Sequence, residues 1–204
     1  TVTDIRDTDE MIIGEDNLKE QFSALIPAFG GKASHFGGLS QIDTITSPEA
    51  FGIPLYYYDQ FMTENGLADE LSAILEDDQF NDDPDTRDIW LEEFRTAIQA
   101  APLNQDFIDL LTAKLEAEYP DTRMRFRSST NTEDLEGFTG AGLYTSKSGM
   151  IGDEEDPIED AIREVFSSVW YFRAFEERRF YGIDHEAVGM ALLVHPSFET
   201  EEAN

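Results

Sequence analysis

Cysteine is absent from this chain of 204 residues, and basic residues are scarce. Without cysteine the chain has no disulfide framework, no thiolate metal site and no thiol nucleophile. It carries 14 Lys and Arg against 44 Asp and Glu, which gives a formal net charge of -30. Because nucleic acids and anionic lipid surfaces are bound through cations, this balance argues against both as partners.

Long hydrophobic runs are also missing from the sequence. No window approaches about 18 consecutive apolar residues, and the N-terminal region lacks the basic start and apolar core of a signal peptide. We therefore expect no membrane-spanning segment and a cytoplasmic location, with which the lack of cysteine agrees. The chain starts at Thr1 without Met and ends in an acidic tail at Asn204, so we interpret it as an excised segment of a longer protein.

The abundant acidic residues cluster in runs at 76–78, 82–85, 153–156 and in the tail. Runs of like charge usually form a hydrated surface, and three of these runs contain or border turn-forming residues. A calcium site or a partner surface is the alternative. None of the runs has the spacing of a helix-loop-helix calcium loop.

The pattern of apolar residues predicts an α+β fold in which helices outnumber strands. Helical spacing predicts a helix over 16–26 that Pro27 and then Gly30 end, and a second short helix that reaches Leu39. Further helices are predicted over 56–62, in several pieces over 67–119 with a break at 81–86, and from Pro157 to about Tyr181. Strands are predicted at 51–54, 123–127, 142–146 and 187–194. The helical stretch 67–119 is interpreted as a subdomain or insert between 1–66 and 120–204.

Two places set cations beside glycine or hydroxyl residues, which is informative in so acidic a chain. At Gly30, Gly31 and Lys32 the backbone can approach an anion closely, the next helix offers free amide groups, and the lysine adds a mobile charge. The spacing differs from that of the Walker phosphate loop. A plain loop between two helices explains the same residues.

The second place is the run from Arg127 through Ser128, Ser129, Thr130, Asn131 and Thr132 to the glycines at 137, 140 and 142. A strand delivers Arg127, whose planar guanidinium suits a pair of phosphate oxygens, into consecutive hydroxyl and amide side chains. The glycines can fold over a ligand. In the alternative interpretation Thr130 or Thr132 caps a short helix and Arg127 pairs with a carboxylate. Chemistry alone leaves both interpretations open.

The Arg127 run, followed by Gly142, Leu143 and Tyr144, resembles the nucleotide-binding domain of the phosphoenolpyruvate synthase and pyruvate phosphate dikinase family. Glucan water dikinases and rifampin phosphotransferase share that domain. The resemblance covers about residues 27–198 in order, and it includes the stretches 30–39, 51–54, 161–174 and 182–186. The helical stretch 67–119 adds little to it.

The resemblance implies an ATP-grasp-like N-terminal lobe or lobes of a pyruvate-binding-type domain with a helical insert. ATP would lie between two α+β lobes. By position, Lys32 would contact the nucleotide phosphates and Arg127 would bind the transferred phosphate, whereas Gly142 and Ser146 fall in a loop that closes on ATP. The strand end at Leu193, Val194 and His195 would be the hinge that meets adenine. In the family a glutamine commonly stands where this chain has His195, and this departure puts the base selectivity in question.

The function implied is that of the ATP-binding segment of a dikinase-type phosphotransferase. Such an enzyme phosphorylates a histidine on a swivelling domain of the same protein, and the group passes to pyruvate or another acceptor. The family's Mg²⁺ ligands lie downstream of the hinge, so the isolated segment is expected to bind ATP weakly and to be inactive. A non-catalytic nucleotide-binding or regulatory module, used in assembly or sensing, is the alternative. We assign the phosphocarrier role to none of the three histidines of this chain.

Overall fold

A five-stranded antiparallel sheet organises the chain. The computed structural model describes residues 1–14, 16–42, 44–132 and 142–197. Within them the strands follow the spatial order β1-β2-β5-β3-β4. The strands are β1 (Arg6–Asp7), β2 (Phe51–Ile53), β3 (Met124–Thr130), β4 (Ser146–Gly149) and β5 (Met190–Pro196). The longest strands, β3 and β5, pair along seven residues from Met124↔Pro196 to Thr130↔Met190 and form the centre of the sheet.

Helices account for most of the remaining described residues. The α-helices are α1 (Leu18–Leu39), α2 (Tyr56–Glu64), α3 (Leu67–Glu76), α4 (Asp78–Asp82), α5 (Pro84–Ala100), α6 (Gln105–Glu118), α7 (Ile158–Ser167) and α8 (Phe172–Phe180). Two short 3₁₀ helices lie at Thr8–Glu10 and Ser168–Trp170. The predicted α+β class is thus confirmed. No helix in the described part of the chain is long and apolar enough to span a membrane.

The two faces of the sheet carry two separate hydrophobic clusters. Side chains alternate between the faces along a strand, so Leu192 and Val194 of β5 point away from Leu193. Leu192 and Val194 belong to a large cluster that α2, α3, α5, α6 and α7 cover, and it includes Phe126 of β3. Leu193 belongs to a small cluster that α1 covers. We call these sides the core face and the α1 face.

Helix α1 is one element with a break at Gly30. The backbone there has φ 73° and ψ 174°, which only glycine adopts without strain. The break allows a close approach, because a Cβ atom on Gly30 would lie 2.0 Å from the carbonyl oxygen of Ser129 on β3. The predicted division into two helical pieces is therefore confirmed at Gly30, but Pro27 lies inside the first piece and does not end it.

The stretch 67–119 is helical as predicted, and its helices contribute to the core face. Leu71, Leu91 and Leu111 are buried in the same cluster as Phe126. The expected loop at 81–86 is reduced to one residue, Asp83, which separates α4 from α5. Its carboxylate accepts hydrogen bonds from the backbone of the first turn of α5, where Pro84 follows it.

Two predicted elements differ from the structure in ways that local chemistry explains. The helix expected over 157–181 is divided by a 3₁₀ turn, where Ser167 and Ser168 donate hydroxyl hydrogen bonds to the carbonyl oxygens of Glu164 and Val165. Such bonds compete with the helical ladder. Strand β4 starts at Ser146 rather than Gly142, because Gly142 has φ 77°, a left-handed conformation outside the strand region.

Candidate nucleotide site

Arg127 lies on the α1 face in the middle of β3. Its register partners are Ser146 on β4 and Leu193 on β5, whose side chains point to the same face. The neighbouring residues Phe126 and Ser128 are buried on the core face, whereas Arg127 itself is exposed. The strand therefore presents the guanidinium to solvent from a rigid central position. The structure brings together Arg127, Ser146 and Leu193 of the residues named from the sequence.

Lys32 lies on the same side of the sheet, in the part of α1 that contacts β3. The hydroxyl of Ser129 donates to the carbonyl oxygen of Phe29 at 2.7 Å and accepts from the backbone N–H of Ala33 at 3.0 Å. Ser129 is fully buried and follows Arg127 by two residues on the same face. This hydroxyl joins both sides of the Gly30 break to the strand. The half-buried Lys32 is thereby placed beside the face that carries Arg127.

Leu193 and Val194 lie inside the sheet. Strand β2 pairs with them through Gly52 and Phe51, and β3 pairs with them through Arg127 and Phe126. Their backbone groups are therefore flanked by strands on both sides. The pairing with β2 ends at Val194, so the following residue, His195, is the first whose backbone is paired only with β3.

His195 is buried on the α1 face, opposite Arg125 of β3. Its Nδ1 lies 2.8 Å from the carbonyl oxygen of Pro196, which can only accept, so Nδ1 carries the proton. Burial is the main cause that lowers the pKa of His195. The contact with Pro196 opposes this shift, and the positive charges of Arg127 and Arg125 add to it. The ring is therefore neutral at pH 7 and lies within electrostatic reach of both guanidiniums.

Gly142 lies apart from this group. It lines a cavity of about 590 Å³ together with Arg95 of α5 and Tyr171. Arg95 stacks over the ring of Tyr171 at 4.2 Å. The glycines at 137 and 140, which the sequence analysis also named, lie outside the described residues. Of the loop predicted from the sequence, the structure places only the Ser146 end next to Arg127.

The arginines of β3 differ in their partners from six other basic residues of the chain. Ion pairs neutralise the side chains of Arg87, Arg95, Lys114, Arg123, Lys147 and Arg163. Within residues 1–14, 16–42, 44–132 and 142–197, neither Arg125 nor Arg127 forms an ion pair with a carboxylate. In a chain with 44 acidic residues, two adjacent guanidiniums without such partners form an anion-attracting surface. This is contrary to the alternative in which a described carboxylate pairs with Arg127.

Metal ligands are not assembled in this part of the protein. Over the described residues, no group of three or more His, Asp or Glu side chains is arranged to hold a metal ion. A cavity of about 490 Å³ beside β1 is acidic, with Asp7, Asp9, Glu49 and Glu118 in its lining. Two of these carboxylates, Asp7 and Glu118, already pair with Lys114.

His185 has a structural environment. Its ring stacks on Phe175 with 3.8 Å between the centroids and an angle of 6°. Burial and the nearby Arg178 lower its pKa to about 3. Arg178 is itself fully buried, over the ring of Trp170. His35 lies exposed on α1, with its ring against Phe22.

Sequence reasoning did not single out Arg125, which shares the α1 face with Arg127. The signal was present, because Arg123, Arg125 and Arg127 alternate with the period of a strand. What the alternation could not show is that Arg123 pairs with Asp153 and Asp156. Arg123 is thus neutralised by carboxylates, whereas no described carboxylate pairs with Arg125 or Arg127.

Comparison with known proteins shows the family of this chain. Residues 26–201 match the family model described as the pyruvate phosphate dikinase AMP/ATP-binding domain. The chain belongs to this family. The match includes every strand of the sheet except β1, and it includes Lys32, Arg127 and His195.

Relatives of this dikinase-type domain come from bacteria and archaea. The chain is 28% identical to a rifampicin phosphotransferase of a Streptomyces species over 182 residues, which is 87% of this chain and 20% of the relative. It is 29% identical to a phosphoenolpyruvate synthase of Aeropyrum pernix over 184 residues, 87% of this chain and 22% of the relative. A phosphoenolpyruvate synthase of Aquifex aeolicus is 30% identical over 83% of this chain and 20% of its own length. The chain thus spans about a fifth of the length of these relatives.

Proposed function

We propose that this chain is the ATP-binding segment of a phosphotransferase, in which ATP phosphorylates a histidine on a swivelling domain of the same protein. The observation that carries the proposal is the exposed Arg127 guanidinium, which has no carboxylate partner in the described parts of a chain with a net charge of -30. Membership of an AMP/ATP-binding domain family supports it. The phosphorylated histidine would then pass the group to pyruvate or another acceptor.

The residues of the α1 face have distinct roles in this proposal. Lys32 and Arg127 bind phosphate oxygens, and Arg127 binds the phosphoryl group that is transferred. Ser146 lies beside Arg127 and offers a hydroxyl to the same group, whereas Gly142 gives the preceding loop its turn. Because Leu193 and Val194 are paired on both sides, the base edge would meet the chain nearest to His195. An ATP-grasp-like arrangement with a second lobe over this face completes the site.

Phosphoryl transfer needs positioning and charge neutralisation more than covalent help from the protein. The bond between the transferred phosphorus and its bridging oxygen breaks, a bond from phosphorus to an imidazole nitrogen forms, and the imidazole loses a proton. Lys32 and Arg127 neutralise charge on the phosphate oxygens and hold them in line with the acceptor. Mg²⁺ would supply further neutralisation when bound. Its ligands are expected from sequence outside this chain.

The test is calorimetric titration of Mg-ATP into the full-length protein that carries this sequence, and into its Lys32→Ala and Arg127→Ala variants. Each substitution is expected to raise the Kd about tenfold or more, because a charge-assisted hydrogen bond contributes about 1.5–3 kcal/mol. Arg163→Ala is the matched control. It removes one positive charge from α7, on the core side of the sheet, and should leave the Kd unchanged. Undiminished affinity in both test variants would refute the proposed site.

A non-catalytic nucleotide-binding module is the second candidate, and His195 favours it because the family commonly has glutamine at this hinge position. The two candidates differ in turnover. With ATP labelled in its phosphates, the enzyme candidate predicts acid-labile label on a histidine of the full-length protein and loss of that label in Arg127→Ala. Tight binding of ATP without any labelled protein would favour the module.

A further inference from the structure

We propose that Arg125 is a further cation of the nucleotide site and that it binds the half of the nucleotide nearest to the base. Its targets are the acceptor atoms found there, the α-phosphate oxygens and the purine N7. This inference rests on the proposed function. It concerns a residue to which neither the family resemblance nor the sequence motif assigned a role.

The register of the sheet places Arg125 between the hinge and Arg127. One rung of the sheet on the α1 face joins Ser148, Arg125 and His195, and the next rung joins Ser146, Arg127 and Leu193. Successive rungs on one face lie about 6.6–6.8 Å apart along a strand. Beyond Arg127 on β3 comes Ser129, where α1 brings in Lys32. By their backbone positions, Arg125, Arg127 and Lys32 therefore occur in this order from the hinge to the Gly30 break.

Contacts hold the Arg125 side chain in this position. One terminal nitrogen, Nη1, lies 3.3 Å from the hydroxyl of Ser148, which in turn lies 3.2 Å from the hydroxyl of Ser197. The side chain is half-buried, and no carboxylate of the described residues pairs with it. A guanidinium has five N–H donors and no acceptor. Ser148 takes one of them, so the others are suited to acceptor atoms of a ligand.

The order of the cations decides which part of the nucleotide each one meets. If Arg127 and Lys32 bind the terminal phosphates, a nucleotide that lies along these positions has its base at the His195 rung. Arg125 belongs to that rung and can donate only to acceptors. The α-phosphate and N7 are acceptors in this half of ATP, whereas the 6-amino group is a donor and would be disfavoured next to a guanidinium. The effect of Arg125 should therefore be the same for ATP, ADP and AMP.

The experiment compares these nucleotides in the full-length protein by calorimetry, with competition titrations for the weak ligands. Arg125→Ala is expected to raise the Kd of Mg-ATP, Mg-ADP and AMP by a common factor of about tenfold. Arg127→Ala should raise the Kd of ATP much more than that of AMP. Arg163→Ala is again the control for loss of one positive charge. Ser148→Ala, which keeps the guanidinium and removes its anchor, should reproduce the Arg125→Ala pattern with a smaller factor of two to three.

Titration with adenosine identifies the atoms involved. If Arg125→Ala also weakens adenosine binding, the contact is with the nucleoside, and if it does not, the contact is with the α-phosphate; either result supports a base-proximal role. Unchanged affinity for all three nucleotides in both Arg125→Ala and Ser148→Ala would overturn the inference, and so would a loss confined to ATP. The proposed function would fail separately, through a wild-type protein that does not bind Mg-ATP or through unaffected Lys32→Ala and Arg127→Ala variants.

Discussion

The two faces of the sheet use the same strands for opposite purposes. On the core face, Phe126, Leu192 and Val194 are buried beneath helices in an aromatic-rich cluster. On the α1 face, the alternate residues of the same strands include Arg125, Arg127 and His195. Among the described residues, α1 covers the Leu193 and Ser129 end of that face. Strand β3 thus contributes the buried Phe126 to the core face and two charged side chains, Arg125 and Arg127, to the α1 face.

This difference indicates where substitutions should affect folding and where they should affect binding. A hydrophobic side chain on the core face loses its contacts when it is truncated, and the surrounding residues cannot fully close the cavity. A solvated arginine on the α1 face has few packing contacts to lose. We therefore expect the two faces to be separable in experiment. The break in α1, which contacts β3 at Ser129, should be the exception, because a change there should affect both folding and binding.

The largest expected loss of stability comes from Phe166→Ala on the core face. Phe166 is 1% exposed, and its ring lies 5.2 Å from that of Tyr58 and 5.6 Å from that of Phe61. Truncation of a buried Phe typically costs about 3–5 kcal/mol. Urea unfolding of the chain, followed by tryptophan fluorescence, measures this change. Phe166→Leu is the matched control and should cost less, because it keeps most of the buried volume.

Gly30→Ala is expected to lower stability less than Phe166→Ala does, and to weaken Mg-ATP binding as well. The new Cβ atom would meet the Ser129 carbonyl oxygen at 2.0 Å, and the backbone would be strained as well. We expect a loss of about 2–3 kcal/mol from the clash and the strain together, with weaker Mg-ATP binding because Lys32 moves away from the sheet. Gly66→Ala is the control, since Gly66 also has a positive φ, of 70°, but nothing lies within 4 Å of its Cβ position. Equal losses in both variants would show that the contact with Ser129 is unimportant.

Much of this fold could be predicted from local sequence patterns. Helix α2, strand β2 and the helical stretch 67–119 lie where apolar spacing and turn residues placed them. The errors came from interactions that a pattern does not contain. The hydroxyls of Ser167 and Ser168 turn back to their own helix, and the carboxylate of Asp83 caps α5 so closely that almost no loop remains.

The candidate site was only partly predictable, for a related reason. Arg127 and Lys32 could be named from motifs, because each stands beside residues that suit a phosphate. Their common face, however, depends on the Ser129 hydroxyl, which contacts residues 96 and 100 positions away in the chain. The pairing of His195 with Arg125 is likewise a property of the register between β3 and β5. No local pattern contains such distant pairings.

The prediction with the smallest expected effect at neutral pH concerns acid stability and His185, which belongs to neither face. Arg178 Nε lies 3.5 Å from His185 Nδ1, so the ring accepts there and is neutral. Burial and Arg178 lower the pKa of His185 to about 3 in the folded chain. In the unfolded chain the same side chain becomes protonated near pH 6.5. The contribution of neutral His185 to stability is therefore present above about pH 6.5 and is lost as the pH falls toward 3.

Replacing His185 by Asn tests this sign, because Asn keeps an acceptor for Arg178 but does not titrate. Urea unfolding at a series of pH values should show wild type losing more stability than His185→Asn between about pH 6.5 and 3. The slopes of unfolding free energy against pH should differ by the equivalent of up to one bound proton. Above about pH 8 the difference between the two proteins should be constant, since neither side chain is charged there in the folded or the unfolded chain. A constant difference over the whole range would mean that His185 has the same pKa in the folded and unfolded chains. Its stacking on Phe175 and its contact with Arg178 would then not exclude the proton.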